Sequence, residues 1–388
     1  MKERRSDNGP PLFFAWFVAQ RTAAMSYDAR RVEVAARHAY LARSRPIFAQ
    51  RMSSPMTTPI PAEWTPHRAM WVGWPSHPEL WGESFAQAQD EVEALVRALA
   101  GPGREQVRLM VGNDEALPGA RARLDGTPGV EVVAARFGDI WLRDTGPIFG
   151  AGSAVANAFS VNGWGGKYDY LHDDEVADQI AGFSRVPVTR HDFILEGGAL
   201  DHDGEGTVLT TRQCVLNRNR NTGWTEADAE AALAASIGAR KVVWLGDGLL
   251  NDHTDGHVDN LARFVAPGVV ACPIAFGRKD PNAEVYDETA RLLSETTDAM
   301  GRKLKVLRIP SPGLVLDADE RPVPASHMNF LIANGAVIVP TYGDDMAGRL
   351  AGEALATVFP DREIVLSPSN AILTGGGSFH CISQQEPE

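Results

Sequence analysis

Cysteine is scarce in this chain: 388 residues hold three, Cys214, Cys272 and Cys381. No two stand in a C-x-x-C pair, which argues against a disulfide framework and against a cysteine zinc site. A reducing, cytoplasmic setting fits better. Apolar runs of about eighteen residues, the length that crosses a bilayer, are missing as well, so no spanning helix and no membrane partner is expected. Positive charge is in deficit, with 37 Lys and Arg against 50 Asp and Glu and a formal net charge of −13. That field repels nucleic acid, which is excluded as a partner, and suits a small cationic molecule. Disorder is excluded by an apolar share of 44% beside 22% charged residues.

The charge is unevenly spread. Residues 1–51 hold nine Arg and one Lys against four acids, a net of +6, which leaves −19 for residues 52–388. The apolar run at 12–18 is too short, and too soon followed by Arg21, for a convincing secretory signal. Three readings fit: a start codon assigned too far upstream, with the functional protein beginning at Met52 or Met56; a flexible arm; or a targeting peptide. The first fits best. Residues 1–55 are set aside as an extension, and residues 56–388 are expected to form one domain, because no linker divides them and their composition does not shift.

Within that domain short apolar runs at 107–111, 130–133, 242–245, 269–272 and 336–340 predict strands. Ala, Leu and Val recur at intervals of three and four over 85–100, 226–237, 283–300 and 346–359, which predicts helices. The class is mixed α/β. Strand-rich modules recur loosely, and five of them would take about 67 residues each.

Four segments carry residue types suited to chemistry. The first is NDHTDGHVDN, 251–260. On a strand, His257 and Asp259 would point to one face and bring a base beside a carboxylate. A polar turn leading into a solvent-facing strand is the plain alternative; a metal site built on His253, Asp255, His257 and Asp259 is a weaker one. In DIWLRDTGPIF, 139–149, Asp144 stands just before a Thr-Gly-Pro turn. There it could take a guanidinium through two parallel hydrogen bonds, or merely pair with Arg143 at the surface. In ILEGGAL, Glu196 precedes two glycines that let a ligand or another segment approach the backbone, although an acid at such a turn is more often structural. Finally, AILTGGGSFHCISQQ places three glycines, His380 and Cys381 seven residues from the end. No Lys-Ser/Thr follows the glycines, so this is not a phosphate loop. Buried small hydrophobes are the reading for Cys214 and Cys272. Cys381, behind a Gly-rich lead-in and next to a histidine, is a candidate nucleophile once ionised by that histidine or a bound cation.

The order of these motifs, from PAEWTPHRAMWVGWP at Pro61 through RDTGP, NGWGGKY, EGGAL, TDGHVDN and GGGSFHCISQQEP, resembles the agmatine deiminase family over nearly everything after residue 55. The resemblance implies the pentein fold, a propeller of five ββαβ modules around a buried polar channel. It implies Cys381 as nucleophile, His257 as general acid and base, Glu196 as a carboxylate engaging histidine and substrate, and Asp144 with Asp259 as the guanidinium clamp. Trp141 and Trp164 lie in matching aromatic motifs and are candidate walls for the substrate's alkyl chain, with core packing as the equal alternative. No metal and no organic cofactor is implied. The substrate would be a small cationic guanidino compound, and a homo-oligomer stays open.

One departure stands out. Where the family pattern has an acid that helps bind the distal ammonium, this chain has His253, which cannot supply the charge; neighbouring Asp252 is a candidate substitute. Other guanidino substrates (free arginine, peptidyl-arginine, a guanidino acid) are therefore alternatives to agmatine. A pentein that binds without catalysis and a metal-dependent amidohydrolase are the more distant rivals. If residues 1–55 lie outside the catalytic unit, a chain starting at Met52 keeps the turnover of the full chain. Misfolding, or loss of most of kcat, would place the extension inside it.

Overall fold

The apolar runs and the periodic segments alternate in space as they do in sequence. The structure is a computed structural model that describes residues 59–343 and 345–388; the extension expected over 1–55 lies outside the described residues. The chain enters on β1 (His67–Trp74), passes through α1 (Phe85–Ala100) to the parallel strand β2 (Val107–Val111), and adds β3 (Val130–Ala134). Four sheets then follow one plan, a short inner strand antiparallel to a second strand, a helix, and a third strand parallel to the second. The first of them is β4 (Ile148–Phe149), β5 (Ala156–Ser160), α2 (Val176–Ser184) and β6 (Val188–Ile194). The next is β7 (Asp201–His202), β8 (Thr207–Thr211), α3 (Glu226–Ile237) and β9 (Lys241–Leu245). Then come β10 (Arg263–Ala266), β11 (Val269–Ile274), α4 (Ala283–Glu295) and β12 (Lys305–Pro310). The last is β13 (Leu331–Ile332), β14 (Ala336–Thr341), α5 (Asp345–Ala356) and β15 (Glu363–Pro368).

The first module lacks an inner strand until the chain ends. β16 (Ser383–Pro387) pairs antiparallel with β1 and completes it, closing the ring. This is the five-module ββαβ propeller, the pentein fold, that the resemblance implies. Closure is pinned by Glu386, which is fully buried and takes hydrogen bonds from Arg68, Arg108, Trp71 and Ser184.

Local chemistry explains the elements. Helix α1 buries Ala88, Val92, Leu95, Val96 and Leu99, an apolar stripe three and four residues apart. Helix α3 opens on a capping box between Thr225 and Asp228 and stops at Gly238 in the left-handed region. The helix expected over 283–300 stops at Glu295. Asp298 accepts backbone hydrogen bonds from Met300 and Arg302, and this local alternative outcompetes a last helical turn. Among the described residues no helix is long and apolar enough to cross a membrane.

Each inner strand is preceded by a tight turn. These are Leu142–Thr145 before β4, Gly197–Ala199 before β7, Val258–Asn260 before β10, His327–Asn329 before β13 and residues 378–382 before β16. Beside them Arg263 is wholly buried. It donates to Glu63, to Asp201 at 2.6 Å, and to the carbonyls of Met328 and Phe330 at 3.2 and 3.1 Å. One guanidinium thus ties the N-terminal segment, β7 and the turn before β13 to β10. Arg263→Met keeps the bulk but leaves two carboxylates buried without their cation, so unfolding free energy should fall by about 3–5 kcal/mol. Urea denaturation measures this; a loss below about 1 kcal/mol would show that the cluster contributes specificity rather than stability.

Candidate active site

The five turns place their polar side chains together. Gly198 shows how closely: a β-carbon there would lie 2.6 Å from His257 Nδ1, 2.9 Å from Asp144 Oδ1 and 3.1 Å from Asp259 Oδ2. Only glycine fits among three converging functional groups. Gly377 has the same role beside Cys381, with its notional β-carbon 2.6 Å from the Trp141 ring and 3.2 Å from Sγ.

His257 and Asp259 do not share a strand; the segment is the plain alternative, a polar turn leading into a strand, although that strand is buried. His257 is the extended residue that caps a 3-10 turn, and Asp259 lies inside that turn, four residues before β10 begins. The reason is local: Gly256 and Asp255 adopt positive φ, and the Thr254 hydroxyl accepts from the His257 amide, so the chain turns instead of extending. Asp144 likewise sits in a helical turn, Leu142–Thr145, ahead of β4. It is buried, not paired at the surface. Arg143 turns away to Gln385 and to the carbonyl of His380.

Asp144 is held by Trp164 Nε1 at 2.8 Å and by the amide of Gly198 at 3.0 Å. Burial, with Asp259 and Glu196 near, pushes its carboxyl well above the usual range. Asp259 accepts from His380 Nδ1 at 2.8 Å and from Asn329 at 3.3 Å. Burial would raise it too, but the hydrogen bond and charge of His380 outweigh that and bring it below its ordinary value. Glu196 takes a bond from Arg220 Nε at 2.6 Å, yet burial leaves it raised. His257 is fully buried with neither ring nitrogen hydrogen-bonded; its Nδ1 lies 3.7 Å from Asp144 Oδ1, too far for a bond. Burial depresses it to about 3, so it is a neutral imidazole at pH 7.

Cys381 Sγ lies 3.1 Å from Asn329 Nδ2 and 3.5 Å from Asp259 Oδ2. Burial and the two carboxylates Asp259 and Asp144 hold its thiol well above its normal range. The adjacent histidine is not its activator: the His380 ring faces Asp259 and, at 3.2 Å, Glu63. The free site therefore disfavours the thiolate.

Cys381 and Asp144 form part of the lining of a cavity of about 370 Å³ that opens to solvent. Trp141, Trp164, Tyr168 and Tyr170 form walls, and His253 with Gly375 and Gly376 lies along it. Both tryptophans thus serve the cavity and the core at once. Trp164 holds a left-handed backbone at φ 53, strained for so bulky a residue, which aims its indole N–H at Asp144. His253 Nδ1 is 3.0 Å from the Tyr168 hydroxyl. Asp252 is not in the lining; its Oδ1 accepts from Thr254.

Three polar residues went unnoticed in the sequence. Asn329 bridges Cys381 and Asp259, and its Oδ1 accepts from the amides of His380 and Cys381. A signal existed: His327-Met328-Asn329 before β13 matches His257-Val258-Asp259 before β10. Arg220, which steadies Glu196, stands in a stretch with no motif, whereas Glu63, which steadies His380, lies inside the motif that begins at Pro61, where nothing singles out its role.

Known proteins are similar to this chain over most of its length. The family model described as Porphyromonas-type peptidyl-arginine deiminase matches residues 59–387. An agmatine deiminase of Stutzerimonas stutzeri is 38% identical over 354 residues, 84% of this chain and 95% of that protein. A solved agmatine deiminase of Enterococcus faecalis superposes with a TM-score of 0.80 at 33% identity, over 88% of this chain and all of that one. A C. jejuni agmatine deiminase solved with substrate bound superposes with a TM-score of 0.76 at 25% identity, over 89% of this chain and 99% of that one. With nearly the whole described structure inside that match, the chain belongs to the Porphyromonas-type peptidyl-arginine deiminase family.

Proposed function

We propose that this protein is an agmatine deiminase, hydrolysing agmatine to N-carbamoylputrescine and ammonia through a covalent intermediate on Cys381. The observation that carries the reading is the Cys381 thiol, which lines the cavity with Asp144 and lies 3.5 Å from the buried carboxylate of Asp259. The relatives named as agmatine deiminases point to the same substrate.

A guanidinium complements those two carboxylates by charge. Asp144 and Asp259 would take its N–H groups and hold the planar carbon in line with Sγ, turning a poor electrophile into a positioned one. The same positive charge stabilises a thiolate that the free site disfavours. The thiol proton passes to neutral His257 as the S–C bond forms. His257, now an imidazolium, protonates one amino group, and the C–N bond breaks to release ammonia. The amidino-thioether that remains is attacked by water, with His257 taking the water's proton. Collapse breaks the C–S bond, and the sulfur regains a proton as the ureido product leaves. Glu196 and Arg220 form a fixed charge pair behind His257, and Asn329 donates to Sγ and steadies the thiolate.

The tail meets aromatic surface. Among the described residues no acid other than Asp144 lines the cavity, so an ammonium on the substrate's tail would rest on Tyr168, Tyr170 and the ring of His253 by cation–π attraction. A neutral tail would fit the same walls, which is why substrate preference is the point to test.

Cys381→Ser should lower agmatine turnover by on the order of 10³-fold or more while leaving binding, because a hydroxyl is a far poorer nucleophile near neutral pH. Mass spectrometry of the quenched wild-type enzyme should find the amidino adduct on Cys381; an adduct confined to Cys214 or Cys272 would refute the assignment.

His253→Glu should raise kcat/KM for agmatine about tenfold, mostly through KM, the worth of one hydrogen bond to a charged group at about 1.4 kcal/mol. A tail-neutral alkylguanidine should not gain. Equal changes on both substrates would show that position 253 does not read the tail.

A further inference from the structure

Cys214 has no part in the reaction just described, yet it lies against the residues that do. Its sulfur, one carboxylate oxygen of Glu196 and one ring nitrogen of His257 all lie within 4.8 Å of one another, and all three residues are buried. The sulfur is fixed in place: Cys214 sits in the short turn Arg212–Val215, with its amide held by the Thr211 hydroxyl at 3.2 Å. Glu196 is fixed by Arg220. His257 is the independent pointer to a ligand, since both of its nitrogens are buried without a hydrogen-bond partner. Burial first, and then Glu196, Asp252 and Asp255 against the guanidinium of Arg220, push the Cys214 thiol well above its ordinary range, so a bound metal has to displace its proton.

We propose that Glu196, Cys214 and His257 form an inhibitory binding site for a borderline-soft divalent metal, with Zn²⁺ as the fitting ion. One thiolate, one imidazole and one carboxylate make a zinc donor set, whereas Mg²⁺ and Ca²⁺ take oxygen ligands. Tetrahedral zinc, with bonds of about 2.3 Å to sulfur and about 2.0 Å to nitrogen, sets its ligand atoms roughly 3.5 Å apart. Closing from the present spacing takes side-chain shifts of about 1 Å, and a water completes the fourth position. Binding is an exchange, not a redox step: the Cys214 thiol loses its proton to solvent as the sulfur–zinc bond forms, and zinc stays divalent. The metal occupies a lone pair of His257. It therefore stops the enzyme and is no cofactor of it.

The inhibitory effect rests on the role given to His257 under the proposed function; the binding site does not. The full-length protein, freed of metal by chelation, is titrated with Co²⁺, which reports thiolate ligation as a near-ultraviolet charge-transfer band. The band should appear in the wild type and in Cys381→Ser, be displaced by Zn²⁺, and vanish in Cys214→Ala. Cys214→Ser, closer in volume, serves if Cys214→Ala loses its native circular dichroism. In the turnover assay Zn²⁺ should inhibit reversibly, with EDTA restoring activity, and Cys214→Ala should keep its metal-free rate while needing at least tenfold more Zn²⁺ for half inhibition. Loss of the band in Cys381→Ser with survival in Cys214→Ala would put the metal on the nucleophile and overturn the site, as would no band in any variant. A Cys214-dependent band with unaltered turnover would uphold the site and overturn the role of His257.

Discussion

The structure is organised around carboxylates held close together with little water. Asp144, Asp259 and Glu196 are all at most a few per cent exposed, and isolated buried charges of one sign cost several kcal/mol each. Each is treated differently. Glu196 has a full cationic partner in Arg220, and Asp259 is hydrogen-bonded to His380, whose burial disfavours the charged imidazolium. Asp144 has only neutral donors, the indole of Trp164 and the amide of Gly198, and its carboxyl is accordingly the one pushed furthest toward protonation. The imbalance leaves room for one more positive charge. In the proposed reaction a guanidinium supplies it, so that the same group is both the thing recognised and the thing that readies the thiol.

Holding such a site apart from solvent needs a frame that does not yield. The propeller provides one because its last strand is also part of its first sheet. β16 brings Cys381 to the centre only if β1 accepts it, and Glu386, buried under Arg68, Arg108 and Trp71, secures that pairing. Arg263 does comparable work on the opposite arc, linking Glu63 and Asp201 while holding the carbonyls on either side of Asn329. Stability and chemistry therefore share residues: His380 sits between Glu63 of the first network and Asp259 of the site. A change in one network is felt in the other because both nitrogens of a single ring are engaged.

Much was legible in the sequence because it depends on neighbours along the chain. Hydrophobic period gave α1 and α3 at their observed bounds, since an apolar stripe at three and four residues has only one way to be buried. It overran α4, where Asp298 supplies hydrogen bonds that periodicity does not weigh. The charge deficit pointed to a cationic partner, and of the five residues implied by motif order resembling a known family, His257, Asp144 and Asp259 lie beside Gly198 and Cys381 beside Gly377.

Tertiary structure alone decided what each of those residues faces. Two-residue spacing would have aligned His257 and Asp259 on a strand, with a polar turn as the alternative; positive φ at Asp255 and Gly256 makes the turn, and convergence comes from several modules, not from one strand's pleat. His380 beside Cys381 read as the thiol's activator, but its ring is committed to two carboxylates on other modules. Asn329 and Arg220 reach the site from 52 and 24 residues away from the partners they serve, separations at which no local pattern forms. Sequence fixes which side chains exist and which local conformations they favour. Only closure of the ring sets the distances between them, and chemistry at a buried site is governed by those distances.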